Sequence, residues 1–233
     1  MKRNFFLSPN TLNLFLDCPR CFWFHIIKGE DYRRPEQPTS TLPRKMDILI
    51  KDYFDIYREK NTLPPEIEKF ISGRLIDEDL IKKWRNWQTG LRFIDSDGNQ
   101  LFGALDECVV KDDIYIPVDY KSRGSLLKED TSSYYFLQMS CYNFLLFKNN
   151  YKVSNEAYLV YYILKSLNSN GLATFDIEVE KIKTFPLDKV YEIFRNAIDI
   201  LSLDRPPQQS NNCAFCNWAK KIINIDKEQF RLF

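Results

Sequence analysis

Hydrophobic residues along the chain recur first at helical spacing, then at alternate positions, then in both rhythms by turns. Ser8-Pro9 reads as an N-cap followed by proline in the first turn of a helix, with Leu12, Phe15 and Leu16 on one face. That helix runs into Cys18-Pro19-Arg20-Cys21. A polar, proline-rich loop over 31–43 precedes a second helix, in which Met46, Leu49, Ile50, Tyr53, Phe54 and Tyr57 return every three or four residues. Pro64-Pro65 ends it, and the charged stretch 66–87 is expected to form one or two short helices. From Leu91 the period is two. Strands are predicted at 91–94, 101–110 and 114–121, with Asp97-Gly98 as a hairpin turn between the first two. An aromatic-rich helix follows over 132–147, then a buried strand at 157–164 and a half-exposed one at 174–179. Pro186 opens a last helix that ends near Leu203, and Arg205-Pro206-Pro207 leads to Cys213-Ala214-Phe215-Cys216. Helices, three strands, a helix, two strands and a helix describe an α/β or α+β domain.

At 233 residues the chain is long enough for one well-buried domain carrying an insertion. The expected organisation is a single domain over 1–233, with a helical insertion at 44–90 and a sheet core at 91–185. The 33 lysines and arginines nearly cancel the 32 acidic residues, so any surface for a polyanion is a local patch. Phe5, Phe6 and Leu7 form too short an apolar run for a signal peptide, and no stretch reaches the length of a membrane span. The expectation is a cytoplasmic protein without a membrane partner. In that reducing setting two CxxC pairs read as metal ligands before disulfides.

The densest chemistry lies at 102–124. If Asp112-Asp113 makes a two-residue turn, paired positions across the hairpin sum to 225. Asp106 then stands opposite Asp119, and Ala104 opposite Lys121. Strand alternation puts Asp106, Asp119 and Lys121 on one face, and Val109, Val118 and Tyr120 on the other. Like charges facing across a ladder repel, which a divalent cation with oxygen ligands would relieve. The same register turns Glu107 to the opposite face, although a one-residue bulge would reverse that choice. Pro117 points to an irregular or edge position. A solvated strand face with an ordinary Asp–Lys pair is the plain alternative.

Phe102-Gly103-Ala104-Leu105-Asp106, Val118-Asp119-Tyr120-Lys121 and Gln138-Met139-Ser140-Cys141-Tyr142 form successive G-x-x-D, D-x-K and Q-x-x-x-Y elements. In this order the chain resembles the PD-(D/E)XK nuclease superfamily. Within it the resemblance is to the RecB-like branch, which includes the CRISPR-associated RecB-like exonucleases and the AddB nuclease domain. The resemblance implies a restriction-endonuclease-like core, a central mixed sheet flanked by helices. It implies that Asp106, Asp119 and the backbone carbonyl of Tyr120 hold one or two Mg²⁺ or Mn²⁺ ions on a scissile phosphate. Lys121 would position or help deprotonate the attacking water. Gln138 and Tyr142, one helical turn apart, would line the site. The implied activity is metal-dependent hydrolysis of DNA phosphodiester bonds, exonucleolytic or directed to ends and single strands, as in DNA repair or CRISPR adaptation. DNA and proteins of a nuclease complex are the implied partners. The branch usually carries a metal-binding histidine on the helix before the strands. Here the single histidine, His25, sits behind the first CxxC, and Asp47 is the oxygen ligand available on that helix. A catalytically weak or inactive nucleic-acid-binding or assembly subunit of the same fold is therefore the second expectation. A thiol redox protein is a third, though the CxxC pairs lack a flanking βαβ pattern.

Cys18/Cys21 and Cys213/Cys216 stand at opposite ends of the chain and suit one tetrahedral sulfur site, for Zn²⁺ or an iron–sulfur cluster. Such a site would clasp the segments 8–30 and 205–222 together. RecB-like nucleases often carry a [4Fe–4S] cluster pinned by one early and three late cysteines. With two early and two late, Zn²⁺ and [4Fe–4S] both stay open. Cys108 and Cys141 read as buried small hydrophobes. Arg123 and Lys128 lie in a basic loop past the hairpin. Together with Arg20, Lys28, Arg33 and Arg34 they are candidates for phosphate contact, or simply solvated loop charge. Trp84, Trp87 and Trp218 are candidates for base stacking or for packing.

Overall fold

The computed structural model describes residues 3–35 and 40–229, the last six as backbone; part of the 31–43 loop thus lies outside the described residues. In chain order the elements begin β1 (Phe6–Leu7), α1 (Pro9–Asp17), α2 (Pro19–Trp23), α3 (Leu42–Glu59), β2 (Arg74–Leu75) and α4 (Glu78–Arg85). They continue β3 (Leu91–Ile94), β4 (Gln100–Gly103), β5 (Glu107–Lys111), β6 (Ile114–Arg123) and α5 (Phe136–Lys148). The last are β7 (Lys152–Val153), β8 (Glu156–Leu167), β9 (Ala173–Lys183), α6 (Leu187–Leu201) and α7 (Ala214–Gln229). The chain forms two compact units, one of Met1–Pro9 with Thr39–Tyr191 and one of Asn10–Pro38 with Glu192–Phe233.

The first unit is built on a mixed sheet in the order β2-β5-β6-β8-β9, with β7 also paired to β6. β6 runs parallel to β8 and antiparallel to β5. A parallel step needs a crossover, and α5 supplies it. Ile50 and Phe54 of α3 join Val118, Tyr120 and Val160 in one buried cluster, the Phe54 ring 4.6 Å from that of Tyr120. Burial of such a ring stabilises the fold by about 2–3 kcal/mol. α5 touches β6 as well as β3 and β4, which belong to a second, three-stranded sheet ordered β1-β4-β3. Layers on two sides explain why α5 is buried from Met139 to Leu146. Two of its polar residues donate hydrogen bonds within the fold. Ser140 donates to the Phe136 carbonyl at 2.5 Å, and Asn143 donates to the Glu156 carbonyl and Thr184 hydroxyl at 3.0 Å.

The hairpin takes the predicted register from Lys111 opposite Ile114 to Glu107 opposite Val118, where the ladder ends. The expected pairs Asp106–Asp119 and Ala104–Lys121 do not form, because 104–106 bend away from the strand. Asp112 and Asp113 both have positive φ, 50° and 61°, as a turn of mirrored hand requires. Pro117 does not mark an edge, because β6 is internal to the sheet. It falls where β6 changes partner, from β7 at Ile114 and Tyr115 to β8 from Val118 onward. Its missing N–H thus costs no ladder bond on that side.

Other expectations are corrected. The strand read at 101–110 is two strands in different sheets, since the chain leaves β4 at Gly103 and bends through Asp106 into β5. The helix read from 132 opens as a 3₁₀ turn at Thr131–Tyr135. The stretch 66–87 yields α4 and the two-residue strand β2. A further helix, α7, follows Cys213.

In the second unit Cys18 caps α2 and Pro19 opens it. Phe15 packs edge-on against Phe22 at 5.4 Å, and Trp23 donates through Nε1 to the Leu203 carbonyl at 3.2 Å.

Candidate active site and thiolate centre

β6 presents Asp119 and Lys121 on the sheet face that α5 covers. Asp119 is fully buried, and Lys121 Nζ lies 2.5 Å from its Oδ2. Gln138, in the first turn of α5, donates through Nε2 to Asp119 Oδ1 at 3.4 Å and to the Tyr142 hydroxyl at 2.9 Å. The β6–α5–β8 crossover is what sets that helix over the carboxylate. Asp106 occupies the bend before β5, close enough to Asp119 for the two carboxyls to interact. Burial pushes the Asp119 carboxyl up, Lys121 opposes it and Asp106 adds to the rise, leaving it at about 7. Lys121 sits 4.7 Å above the ring of Tyr135 and, although burial opposes its charge, Asp119 holds its ammonium above the ordinary lysine value.

Glu107 points the other way, as the register requires. It is fully buried, accepts from Arg58 and, at 3.1 Å, from the Tyr120 hydroxyl, and is paired with Arg85 at 3.3 Å. Arg85 also donates to the Asp106 carbonyl at 2.9 Å, so the same guanidinium fixes the bend that aims Asp106. Tyr120 contributes its side chain to this opposite face, while its carbonyl belongs to β6. Gly103 is required by the close approach of two side chains. A Cβ there would stand 2.9 Å from Leu145 and 3.0 Å from the Tyr142 ring.

The sequence reading missed Lys51. Its Nζ lies 2.7 Å from Asp106 Oδ1 and 2.8 Å from Asp47 Oδ2. Burial opposes its charge, but Asp106 and Asp47 together hold its ammonium above the ordinary value. The one available signal was its i,i+4 spacing from Asp47, which reads equally as an ordinary surface pair. Asp47 is thus joined to Asp106 through Lys51. Arg123 ends β6 half-buried with its Nε unpaired, and Lys128 is exposed in the following loop. His25 lies in the second unit, in the turn Phe24–Lys28. Trp84 is buried against Tyr151 at 5.0 Å, whereas Trp87 and Trp218 are exposed beside Phe102 and Phe215.

Asp119 Oδ2 is shielded from solvent, with the Lys121 ammonium 2.5 Å away. A buried carboxylate beside a second carboxylate suits a hard divalent cation with oxygen ligands.

In the second unit the sulfurs of Cys18, Cys21, Cys213 and Cys216 lie within 4.8 Å of one another, a group able to hold a metal. Burial opposes ionisation of Cys18, but backbone hydrogen bonds from Cys21 and Ser210 outweigh it and bring the thiol down to about 7. Arg34 donates to Cys213 Sγ at 3.3 Å and pairs with Asp17 at 2.5 Å, so its guanidinium bridges that carboxylate and the cysteine group. Cys108 and Cys141 are fully buried elsewhere, with thiols raised by burial.

No curated protein sequence matches the chain. The crystal structure of SSO0001 is similar with a TM-score of 0.47 at 13% sequence identity, over 94% of this chain and 86% of that one. Among the described residues no helix is long and apolar enough to cross a membrane. The model of the PD-(D/E)XK nuclease superfamily matches residues 57–220, which take in Asp106, Asp119, Lys121, Gln138 and Tyr142. With well over half its length matched, the chain belongs to the PD-(D/E)XK superfamily of metal-dependent phosphodiester nucleases.

Proposed function

We propose that the chain is a DNA nuclease of the RecB-like branch, acting on ends or single strands in DNA repair or CRISPR adaptation. The observation that carries this reading is the convergence of Asp106, Lys121 and Gln138 on the buried Asp119 carboxylate, with Tyr142 held by Gln138. Asp106, Asp119 and the Tyr120 carbonyl are the groups to hold Mg²⁺ or Mn²⁺. When bound, the ion activates water and stabilises charge developing on the phosphate. Lys121 positions the attacking water against the phosphate or helps to deprotonate it. Gln138 fixes Asp119 Oδ1 and Tyr142 against each other, which keeps the carboxylate in one rotamer. Arg123 and Lys128, in the stretch that follows Lys121, are the cations for the phosphate backbone. The cysteines hold a metal or cluster that clasps 8–30 to 205–222, completing one nuclease-like domain with its helical 44–90 insertion.

A specific observation favours a second reading, a weakly active or inactive assembly subunit. Lys51 already neutralises Asp106, and α3 has no histidine. Incubating end-labelled single- and double-stranded DNA with Mg²⁺ or Mn²⁺ separates the two. Cleavage that EDTA abolishes, and that Asp119→Ala and Lys121→Ala lack, supports the nuclease. An inert parent protein, or variants equal to it, rejects the catalytic roles.

A further inference from the structure

The four sulfurs carry more information than their number. Cys21 and Cys216 are 3.3 Å apart, Cys21 and Cys213 3.7 Å, and Cys18 and Cys216 3.9 Å. All four lie within 4.8 Å of one another. One ion bonded to four thiolates at about 2.3 Å sets them on a tetrahedron with edges of about 3.8 Å. A four-iron cube places each thiolate outside its own iron, so the sulfur tetrahedron widens to edges of roughly 6 Å. The observed separations scatter about the first and all fall short of the second. The [4Fe–4S] cluster implied by the resemblance to RecB-like nucleases therefore does not fit this cage.

We propose that Cys18, Cys21, Cys213 and Cys216 bind a single Zn²⁺ ion as a closed tetrathiolate centre. Each CxxC pair begins just before a helix, α2 or α7, with its second cysteine in the first turn. The Cys216 N–H points at Cys213 Sγ, 3.4 Å away. Four thiolates around one divalent ion leave a net charge of −2, and Arg34 donates to Cys213 Sγ to offset it. Cys18, Cys21 and Cys213 are buried and all four positions are protein sulfur, so no place is left for a substrate or water. The centre is structural, joining the segment before residue 35 to the segment after residue 212.

The test is metal content after expression with both iron and zinc in the medium and anaerobic purification. The expected result is about one zinc per chain, no acid-labile sulfide and no visible absorption. Exchange with Co²⁺ should then give the intense visible bands of a tetrahedral cobalt tetrathiolate, shifted in Cys216→Ser and unchanged in Cys141→Ser. Four irons with sulfide, one iron without sulfide, or no bound metal would each overturn the assignment. These readouts need no DNA cleavage, so the zinc centre and the nuclease reading stand or fall separately.

Discussion

Lys51 on α3 holds Asp106 through a 2.7 Å ion pair, and its second contact, at 2.8 Å, is Asp47 one helical turn earlier. A cation that binds Asp106 therefore competes with an ammonium already there. Removing that charge in Lys51→Met should lower the Mn²⁺ concentration needed for half-saturation by roughly 3- to 10-fold, the scale of one partly screened ion pair. Loss of the cation that positions Asp106 should reduce kcat/KM on DNA by about 10-fold. Calorimetric Mn²⁺ titration of the parent and variant decides it. Unchanged affinity would mean that Lys51 does not share Asp106 with the metal.

Asp106 and Glu107 are neighbours with separate duties. Glu107→Ala leaves Arg58 and Arg85 without their shared buried carboxylate, a loss of about 3–5 kcal/mol and on the order of 10 °C in Tm. Asp106→Asn, at a half-buried bend, should change Tm far less while abolishing metal-dependent cleavage. A Glu107 variant that is stable but inactive would reverse the register argument.

Gly103 gives Tyr142 and Leu145 their space. Gly103→Ala should cost about 1–3 kcal/mol through overpacking and displace Tyr142 from Gln138. Tm should drop by several degrees, and nuclease activity should fall further than the lost stability accounts for. A Tm equal to that of the parent would show that the helix yields freely.

The hairpin register was legible because two aspartates between alternating strands leave one tight turn. Position numbers then fix the five pairs from Lys111–Ile114 to Glu107–Val118, though not the bend at Asp106 beyond them. Gln138 and Tyr142 were legible by spacing and by resemblance. Lys51 was not, since whether a helical lysine points into a site depends on where α3 docks. The split of 101–110 was hidden for a similar reason. Gly103 and Leu105 both look strand-compatible, and only the existence of a second sheet separates them. β1, β2 and β7 are two residues each, too short to show a period. Zinc and cluster could not be separated by counting thiolates, because the difference lies in the size of the cage.

Arg34 should tune the thiolate centre without ligating it. Arg34→Leu removes the donor at Cys213 Sγ, and loss of such a supporting group weakens metal binding by about 10- to 100-fold. Zinc release to a colorimetric chelator should quicken accordingly, while nuclease activity measured before release stays near that of the parent. Release at the parental rate would remove Arg34 from the centre.

The buried Asp119 links metal binding to pH with a definite sign. In the unfolded chain its carboxyl titrates near 3.9, whereas in the fold it is held at about 7. Between these values folding takes up a proton, so the metal-free protein loses stability as pH rises from about 4 to about 7 and no more above that. A divalent ion must displace the same proton, so its affinity rises across the window and levels above pH 7. The Tm increment from saturating Mn²⁺ should therefore be larger at pH 8 than at pH 5.5. Other groups titrate in this range, so the quantity to compare is the difference between the parent and Asp119→Asn, in which the carboxyl proton is gone. The variant should be relatively more stable than the parent at pH 8 without metal, and should show little Mn²⁺ increment at either pH. A parent whose Mn²⁺ increment is flat with pH, or largest at pH 5.5, would place the ion away from Asp119.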